Sequence, residues 1–235
     1  MRHSRALMIF AAGFGTRMGA LTATQPKPMV AVAGRPLIDH ALDQAEAAGA
    51  DPIVVNLHYR GDQLAAHLAG RPVQLSWERE KILETGGGLR KALPLLGNGP
   101  VATLNSDAAW TGENAIKQLE AAWDEARMDA LLLIAPPEHT TGHSAPPAFS
   151  MDERGRLSRH SVTGGAGYVY TGAQIIKTDM LAGIPDAVFS MWRLWEPMIA
   201  AGRMYGLTHK GYWCDVGHPG SIALTEQLLS EQGNV

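Results

Sequence analysis

Cysteine is almost absent from this chain. Cys214 is the single one among 235 residues, which excludes an intrachain disulfide framework and a zinc site built on cysteines. Long apolar runs are missing as well, none approaching the ~20 residues that a membrane-spanning helix needs. The opening Met1-Arg2-His3-Ser4-Arg5 leads into only seven apolar residues, Ala6 to Ala12, short for a secretory signal and without its cleavage context. Clustered basic charge is lacking too: the formal net charge is −3, so a nucleic-acid backbone is not an expected partner. Any affinity for phosphate must then come from a local pocket. There is no internal repeat and no hexapeptide pattern of a β-helix. With a hydrophobic fraction of 46%, which suffices for a full core, these exclusions leave a soluble, cytoplasmic protein without a membrane partner. Its length suits a single domain over residues 1–235, as a monomer or small homo-oligomer.

What is present is alternation. Strands are expected at residues 6–12, 52–58, 73–78, 100–106 and 129–136, with helices between them at 37–48, 61–68, 87–93 and 113–126. Gly49 and Pro94 act as helix stops. Strands alternating with helices predict a mainly parallel sheet covered on both faces. Its ligands collect at the strand C-terminal edge, where the loop after the first strand and Asn105-Ser106-Asp107 both fall. Beyond residue 136 the pattern changes. Pro136-Pro137 and Pro146-Pro147 bracket a polar loop, and short strands are expected at 148–151, 157–160 and 167–176. A helix at 190–201 should be bent or interrupted at Pro197. Residues 204–210 and 211–216 read as a late hairpin, and a closing helix spans 219–230.

The opening loop, AAGFGTRM over residues 11–18, has glycines at 13 and 15 that let backbone N–H groups reach a ligand and form an anion-binding nest. It is not a dinucleotide fingerprint, because Met18 stands where the third glycine belongs, and it has no Walker A Gly-Lys-Ser/Thr. Ten residues on, Pro26-Lys27-Pro28 stiffens the backbone on both sides of one lysine. A Gly-rich turn with two surface cations is the plainer alternative, but it does not explain that stiffening.

AAGFGTRM followed by PKP resembles the signature of the sugar-1-phosphate nucleotidyltransferases. The resemblance implies a Rossmann-like three-layer α/β/α sheet with a small β-rich acceptor-binding portion, the nucleotide part spanning about 1–136 and the sugar part about 137–235. It implies Mg²⁺ dependence. It places Ala11, Ala12, Gly13, Gly15 and Thr16 on the nucleotide, Arg17 on its β- and γ-phosphates, and Lys27 near the α-phosphate. The string LETGGG at 83–88 is similar to that of the short bacterial members that transfer uridylyl to N-acetylmuramic acid 1-phosphate in cell-wall sugar recycling. It implies base recognition by Glu84, Thr85 and Gly86, with UTP as the favoured triphosphate.

The resemblance further implies that Asn105 meets the nucleotide and sugar and that Asp107 is a catalytic carboxylate and metal ligand. The family usually has Gly between them, where this chain has Ser106, which adds a side chain near the expected ribose. A late WCDVG at 213–217 matches the family's second metal aspartate, Asp215. Tyr168 and Gly172 match a strand that frames the sugar. The lysine string that grips the sugar phosphate in larger relatives is missing, and Arg159 or His160 is the substitute expected here.

Cys214 reads as packing, and His139 and His143 are discounted as a zinc pair because no helix carries them. Other bases (guanine, cytosine, thymine), other acceptors (mannose 1-phosphate, glucose 1-phosphate, phosphocholine) and a non-catalytic nucleotide-sugar-binding subunit remain open as alternatives.

Overall fold

The computed structural model describes residues 4–161 and 166–231. Met1, Arg2 and His3, the start of the stretch weighed as a signal, lie outside the described residues. The first strand, β1 (Leu7–Phe10), is followed by the short pair β2 (Ala31–Val32) and β3 (Arg35–Pro36), helix α1 (Leu37–Ala47), β4 (Ile53–Leu57), α2 (Gly61–His67) and β5 (Val73–Trp77). Then come α3 (Glu84–Leu96), β6 (Val101–Asn105), β7 (Ala108–Trp110), α4 (Ala115–Ala122) and β8 (Ala130–Ala135). The C-terminal half adds β9 (Thr140–Thr141), β10 (Phe149–Met151), β11 (Leu157–Arg159), β12 (Val169–Ile176), α5 (Trp192–Ala200), β13 (Met204–Thr208), β14 (Trp213–Asp215) and α6 (Gly220–Glu231).

Seven strands form one sheet in the order β13-β8-β12-β6-β1-β4-β5. All neighbours are parallel except β12, which runs antiparallel to both β6 and β8. The pleat explains why apolar residues dominate both faces of the central strands. Leu7 and Ile9 pack with Ile38, Leu42, Ile116 and Leu119 of α1 and α4 on one face. Met8 and Val54 pack with Leu89, Ala92, Leu194 and Met198 of α3 and α5 on the other. Helices on both faces are the three layers expected of such a sheet. Among the described residues no helix is long and apolar enough to cross a membrane.

Five local expectations are corrected. Helix α3 starts at Glu84, earlier than expected, and takes in all three glycines. They fit there because a Cβ would collide at each: 2.5 Å from the Phe189 ring at Gly86, 2.6 Å from the Ala187 carbonyl oxygen at Gly87 and 2.8 Å from Glu78 Oε1 at Gly88. The string is a packing joint that needs helical backbone without side chains. The same helix passes through Pro94 to Leu96, because burying Leu89, Ala92 and Leu96 outweighs one lost backbone bond near its end. Helix α5 likewise runs through Pro197 unbroken, held by buried Leu194, Trp195 and Met198. Helix α4 stops at Ala122, not Ala126, because the Asp124 carboxylate accepts from Ala126 N–H at 3.1 Å and so forms a turn of its own.

The fifth correction bears on function. Strands β13 and β14 do not form a hairpin. β13 is the parallel edge strand beside β8. The chain then leaves that sheet, and β14 pairs antiparallel with β7 and parallel with β9 in a small separate sheet. At the crossing, His209 is buried. Its Nε2 lies 3.1 Å from the Thr111 carbonyl and its Nδ1 lies 2.9 Å from the Gln118 amide nitrogen. Neutral imidazole, donating from Nε2 and accepting at Nδ1, satisfies both. Gly211 lies directly against the Thr111 carbonyl oxygen, where a Cβ would come within 2.2 Å. Cys214 is buried in β14, and burial pushes its thiol up to about 11, so at neutral pH it is a packing residue.

Burial also holds the His209 pKa below the ordinary 6.5. The unfolded chain therefore binds the proton more readily. The contribution of neutral His209 to stability is fully present above pH about 6.5 and is lost as pH falls below it towards the folded value. Denaturant midpoints measured from pH 7.5 to 5.5 should fall, and His209→Gln should flatten the slope. An unchanged slope in that variant would remove His209 as the source.

Candidate active site

The loop after β1 is shaped around a lysine. Gly15 sits at φ 65°, and a Cβ there would lie 2.8 Å from Lys27 Cβ and 3.0 Å from Thr22 Cγ2. Only glycine combines that left-handed backbone with that approach. Pro26 is extended, and Lys27 opens a single 3₁₀ turn, Lys27–Met29, with Pro28 next to it. Lys27 is 9% exposed, and its Nζ donates to Asp107 Oδ2 at 2.6 Å. The restricted backbone and the buried stem aim one ammonium at the C-terminal end of β6.

Two clefts meet there. The smaller, about 180 Å³, is lined by Gly13, Gly15, Thr16, Arg17, Lys27, Asp107 and Gly217. It offers two cations and a glycine loop and suits phosphates. The larger, about 210 Å³, runs over Ala11, Ala12, Asn56, Glu78, Glu84, Thr85, Asn105 and Ser106. Gly13, Lys27 and Asp107 line both, so the two ends form one groove. Asp215 arrives from the other end of the sequence. It stands opposite Ala108 in the β14–β7 ladder, and Val216 N–H donates to the Asp107 carbonyl at 2.9 Å. A Cβ on Gly217 would lie 3.0 Å from both Arg17 Nη1 and Asp215 Oδ1, so Arg17 and Asp215 converge on that glycine.

The chain matches the MobA-like NTP transferase domain over residues 7–206. The chain belongs to that family. It is 39% identical, over 95% of its length and 96% of the relative's, to the N-acetylmuramate alpha-1-phosphate uridylyltransferase of Caulobacter vibrioides. It is 34% identical to the enzyme of the same name from Neisseria meningitidis, over 89% of this chain and 92% of that one. A mannose-1-phosphate guanyltransferase of Aspergillus fumigatus is 27% identical over 90% of this chain and 60% of its own. In fold, the crystal structure of HddC from Yersinia pseudotuberculosis complexed with GMP-PN superposes with a TM-score of 0.74 at 20% identity, covering 95% of this chain and 98% of that one.

Within this NTP transferase the residues singled out from sequence divide into groups. Ala11, Ala12, Gly13, Gly15, Thr16, Arg17, Lys27, Glu84, Thr85, Asn105 and Asp107 all line the groove. Gly86 sits just behind it. Its N–H and that of Gly87 both donate to the Phe189 carbonyl, at 2.9 and 3.0 Å, while the Thr85 hydroxyl accepts from Met191 N–H at 2.9 Å. Glu84 holds φ 59°, unusual for a residue with a side chain. Gly172, at φ 84° in a bulge of β12, lies against the Asn105 side chain, where a Cβ would come within 2.8 Å. Ser106 lines the groove with its Oγ tied down, donating to the Phe10 carbonyl at 2.7 Å. Tyr168 bridges to Phe149 outside the groove lining. Arg159 pairs with Glu196 and lies 4.0 Å over the Trp192 ring, and His160 Nδ1 lies 2.9 Å from Ser150 Oγ.

Asn56, Glu78 and His143 were not among those residues. Asn56 Oδ1 accepts from Ala11 N–H at 2.7 Å, and its amide donates to Glu78 Oε1 at 2.7 Å. Glu78 Oε2 accepts from Leu83 N–H at 2.7 Å. This chain of bonds ties the opening loop to the turn before α3. The available signal was a lone Asn in the apolar strand IVVNL and an acid at the end of β5. His143 Nδ1 lies 3.2 Å from Asp215 Oδ2, a role that a search for a zinc pair does not reveal.

Among the described residues no group of three or more His, Cys, Asp or Glu side chains forms a ready metal cage. Mg²⁺ seldom needs one. It takes one or two carboxylates and completes its shell with phosphate oxygens and water. Asp107, in the turn just before β7, and Asp215, in the β14 strand paired with β7, are a donor set of that kind.

Glu78 is 1% exposed. Its removal leaves Asn56 and Leu83 donors unpaired at about 1–3 kcal/mol each. Glu78→Ala should lower the melting temperature by roughly 5–15 °C, whereas Glu80→Ala, at an exposed neighbour, should change it little. Equal small shifts in both would contradict the bridging role.

Proposed function

We propose that the chain transfers uridylyl from UTP to the phosphate of N-acetylmuramic acid α-1-phosphate, releasing pyrophosphate, as a step in recycling cell-wall sugar. The observation that carries the reading is the meeting of Arg17, Lys27 and Asp107 with the strand of Asp215 at one end of a groove whose other end is lined by Glu84 and Thr85. The likeness to two proteins named for this activity supports the choice of base and acceptor.

The attacking oxygen of a sugar 1-phosphate is already ionised at neutral pH, so no side chain need remove a proton. The barrier lies in bringing two polyanions together and in charge building on the leaving pyrophosphate, and this chemistry is carried by positioning and electrostatics. Arg17 offsets the leaving group's charge. Lys27 holds the α-phosphate and the attacking group. The glycine loop supplies N–H donors without a side chain in the way. Asp107 and Asp215 would hold Mg²⁺, which supplies positive charge to the phosphates and helps orient them. Tyr168, Gly172 and Arg159 are assigned to the sugar, with Asn105 between the sugar and nucleotide.

The test is a matrix of UTP, GTP, CTP and dTTP against N-acetylmuramic acid, mannose and glucose 1-phosphates and phosphocholine, reading pyrophosphate release. Turnover should be greatest with UTP and N-acetylmuramic acid α-1-phosphate. Greater turnover with GTP and mannose 1-phosphate would replace that substrate pair. Tight nucleotide binding without turnover on any acceptor would make the chain a binding subunit.

Lys27 can be sized. Two unit charges 4 Å apart interact by about 4 kcal/mol at an effective dielectric near 20, which corresponds to roughly a thousandfold in rate. Lys27→Ala should lose up to that factor in kcat/KM while circular dichroism stays native. Turnover like that of the unmodified protein would remove Lys27 from the mechanism.

A further inference from the structure

The phosphate loop is clasped from outside the groove. Three successive carbonyls, of Thr22, Ala23 and Thr24, each accept a hydrogen bond from one short segment: Tyr59 Oη donates to Thr22 at 2.9 Å, the Arg60 guanidinium to Ala23, and Gln63 Nε2 to Thr24 at 3.1 Å. The loop side returns the contact. The Phe14 ring meets His58 edge-on at 5.2 Å and tilts over Tyr59 at 5.8 Å, although Phe14 is 46% exposed. The clasp itself is anchored, since His58 Nδ1 lies 2.6 Å from the Glu78 carbonyl. Arg60 takes φ 49° and ψ 35° just before α2, a left-handed conformation that an arginine keeps only where its surroundings enforce it.

These contacts lead to Arg17. The Thr22 hydroxyl donates to the carbonyls of Gly15 at 3.0 Å and Gly19 at 3.2 Å, closing the arc that contains Arg17. Thr22 Cγ2 also fills the space beside Gly15, next to the stem of Lys27. Holding the Thr22 carbonyl therefore holds both ends of the arc. Among the described residues no hydrogen bond or ion pair seats the Arg17 side chain itself, so its placement depends on the backbone that carries it.

We propose that Tyr59, Arg60 and Gln63 are positioning residues for the triphosphate. They touch no substrate; they hold the Thr16–Thr22 arc so that Arg17 faces the β- and γ-phosphates. This rests on the nucleotide assignment given above. It predicts a selective defect: weakening the clasp lowers affinity for the phosphates and leaves the base end intact.

The test compares the unmodified protein with Tyr59→Phe, which keeps the ring against Phe14 but loses the donor, and with Tyr59→Phe/Gln63→Ala. Three quantities are measured: amide hydrogen exchange over residues 16–24, calorimetric affinity for UTP and for uridine with Mg²⁺ present, and melting temperature. Each lost donor should weaken UTP binding about five- to tenfold and speed exchange in 16–24, with uridine affinity unchanged and the melting temperature little moved. The KM for UTP should rise by the same factor, and the KM for the acceptor should not. Unchanged exchange, or equal losses for UTP and uridine, overturns the proposal, as does an unmodified protein that binds UTP no better than uridine. If no triphosphate and acceptor pair turns over, the transfer reading fails, yet the exchange data and the UTP–uridine comparison still decide the clasp.

Discussion

A lysine ammonium 2.6 Å from the Asp107 carboxylate joins the loop after the first strand to the end of β6. The rest of the site is arranged around that ion pair. It needs a glycine at position 15, because any side chain there would displace the lysine stem. It needs the extended Pro26 and the turn at Lys27–Met29 to aim the side chain. Desolvating both charges carries a cost that a well-placed partner offsets. In the free protein Lys27 and Asp107 satisfy each other. On the function proposed above, a bound triphosphate would offer the lysine phosphate oxygens and leave the carboxylate available beside Asp215. The ion pair keeps a buried lysine and a partly exposed carboxylate at the groove in the free protein.

The second constraint is topological. Asp215 reaches Asp107 only because the chain leaves the main sheet after β13 and starts a second, smaller one. Neutral His209, Gln118 and Gly211 hold that crossing. The β14–β7 ladder then fixes the register, with Asp215 opposite Ala108. A slip of one residue would turn the carboxylate to the other face, so the ladder is part of the site as much as the side chains are.

The fold class was legible because the central strands are mostly apolar on both faces and the helices between them carry one apolar face. The glycines were legible from a turn that frees backbone N–H groups, and Lys27 from the prolines that stiffen it; the phosphate roles of Arg17 and Lys27 came from the resemblance that AAGFGTRM and PKP carry. What could not be read depends on contacts between distant segments. The helix expected at 87–93 begins three residues earlier and takes in Gly86 as well, because the carbonyls and ring of residues 187–189 press against these glycines. Pro94 and Pro197 looked like breaks, yet core burial carries both helices past them. Two adjacent strand patterns, 204–210 and 211–216, looked like a hairpin, because nothing local says that each finds its partner in a different sheet. The Asn56–Glu78 bridge is likewise invisible until β4 and β5 are placed side by side.

The central claim is that the carboxylates of residues 107 and 215 and the cations of residues 17 and 27 face the same triphosphate. Crystals grown with UTP and Mn²⁺ in place of Mg²⁺ test it directly through anomalous scattering. The account predicts one strong manganese peak between the Asp107 and Asp215 carboxyl groups, with the triphosphate running from Lys27 towards Arg17. A peak elsewhere, or a triphosphate bound away from Gly13 and Gly15, would contradict it.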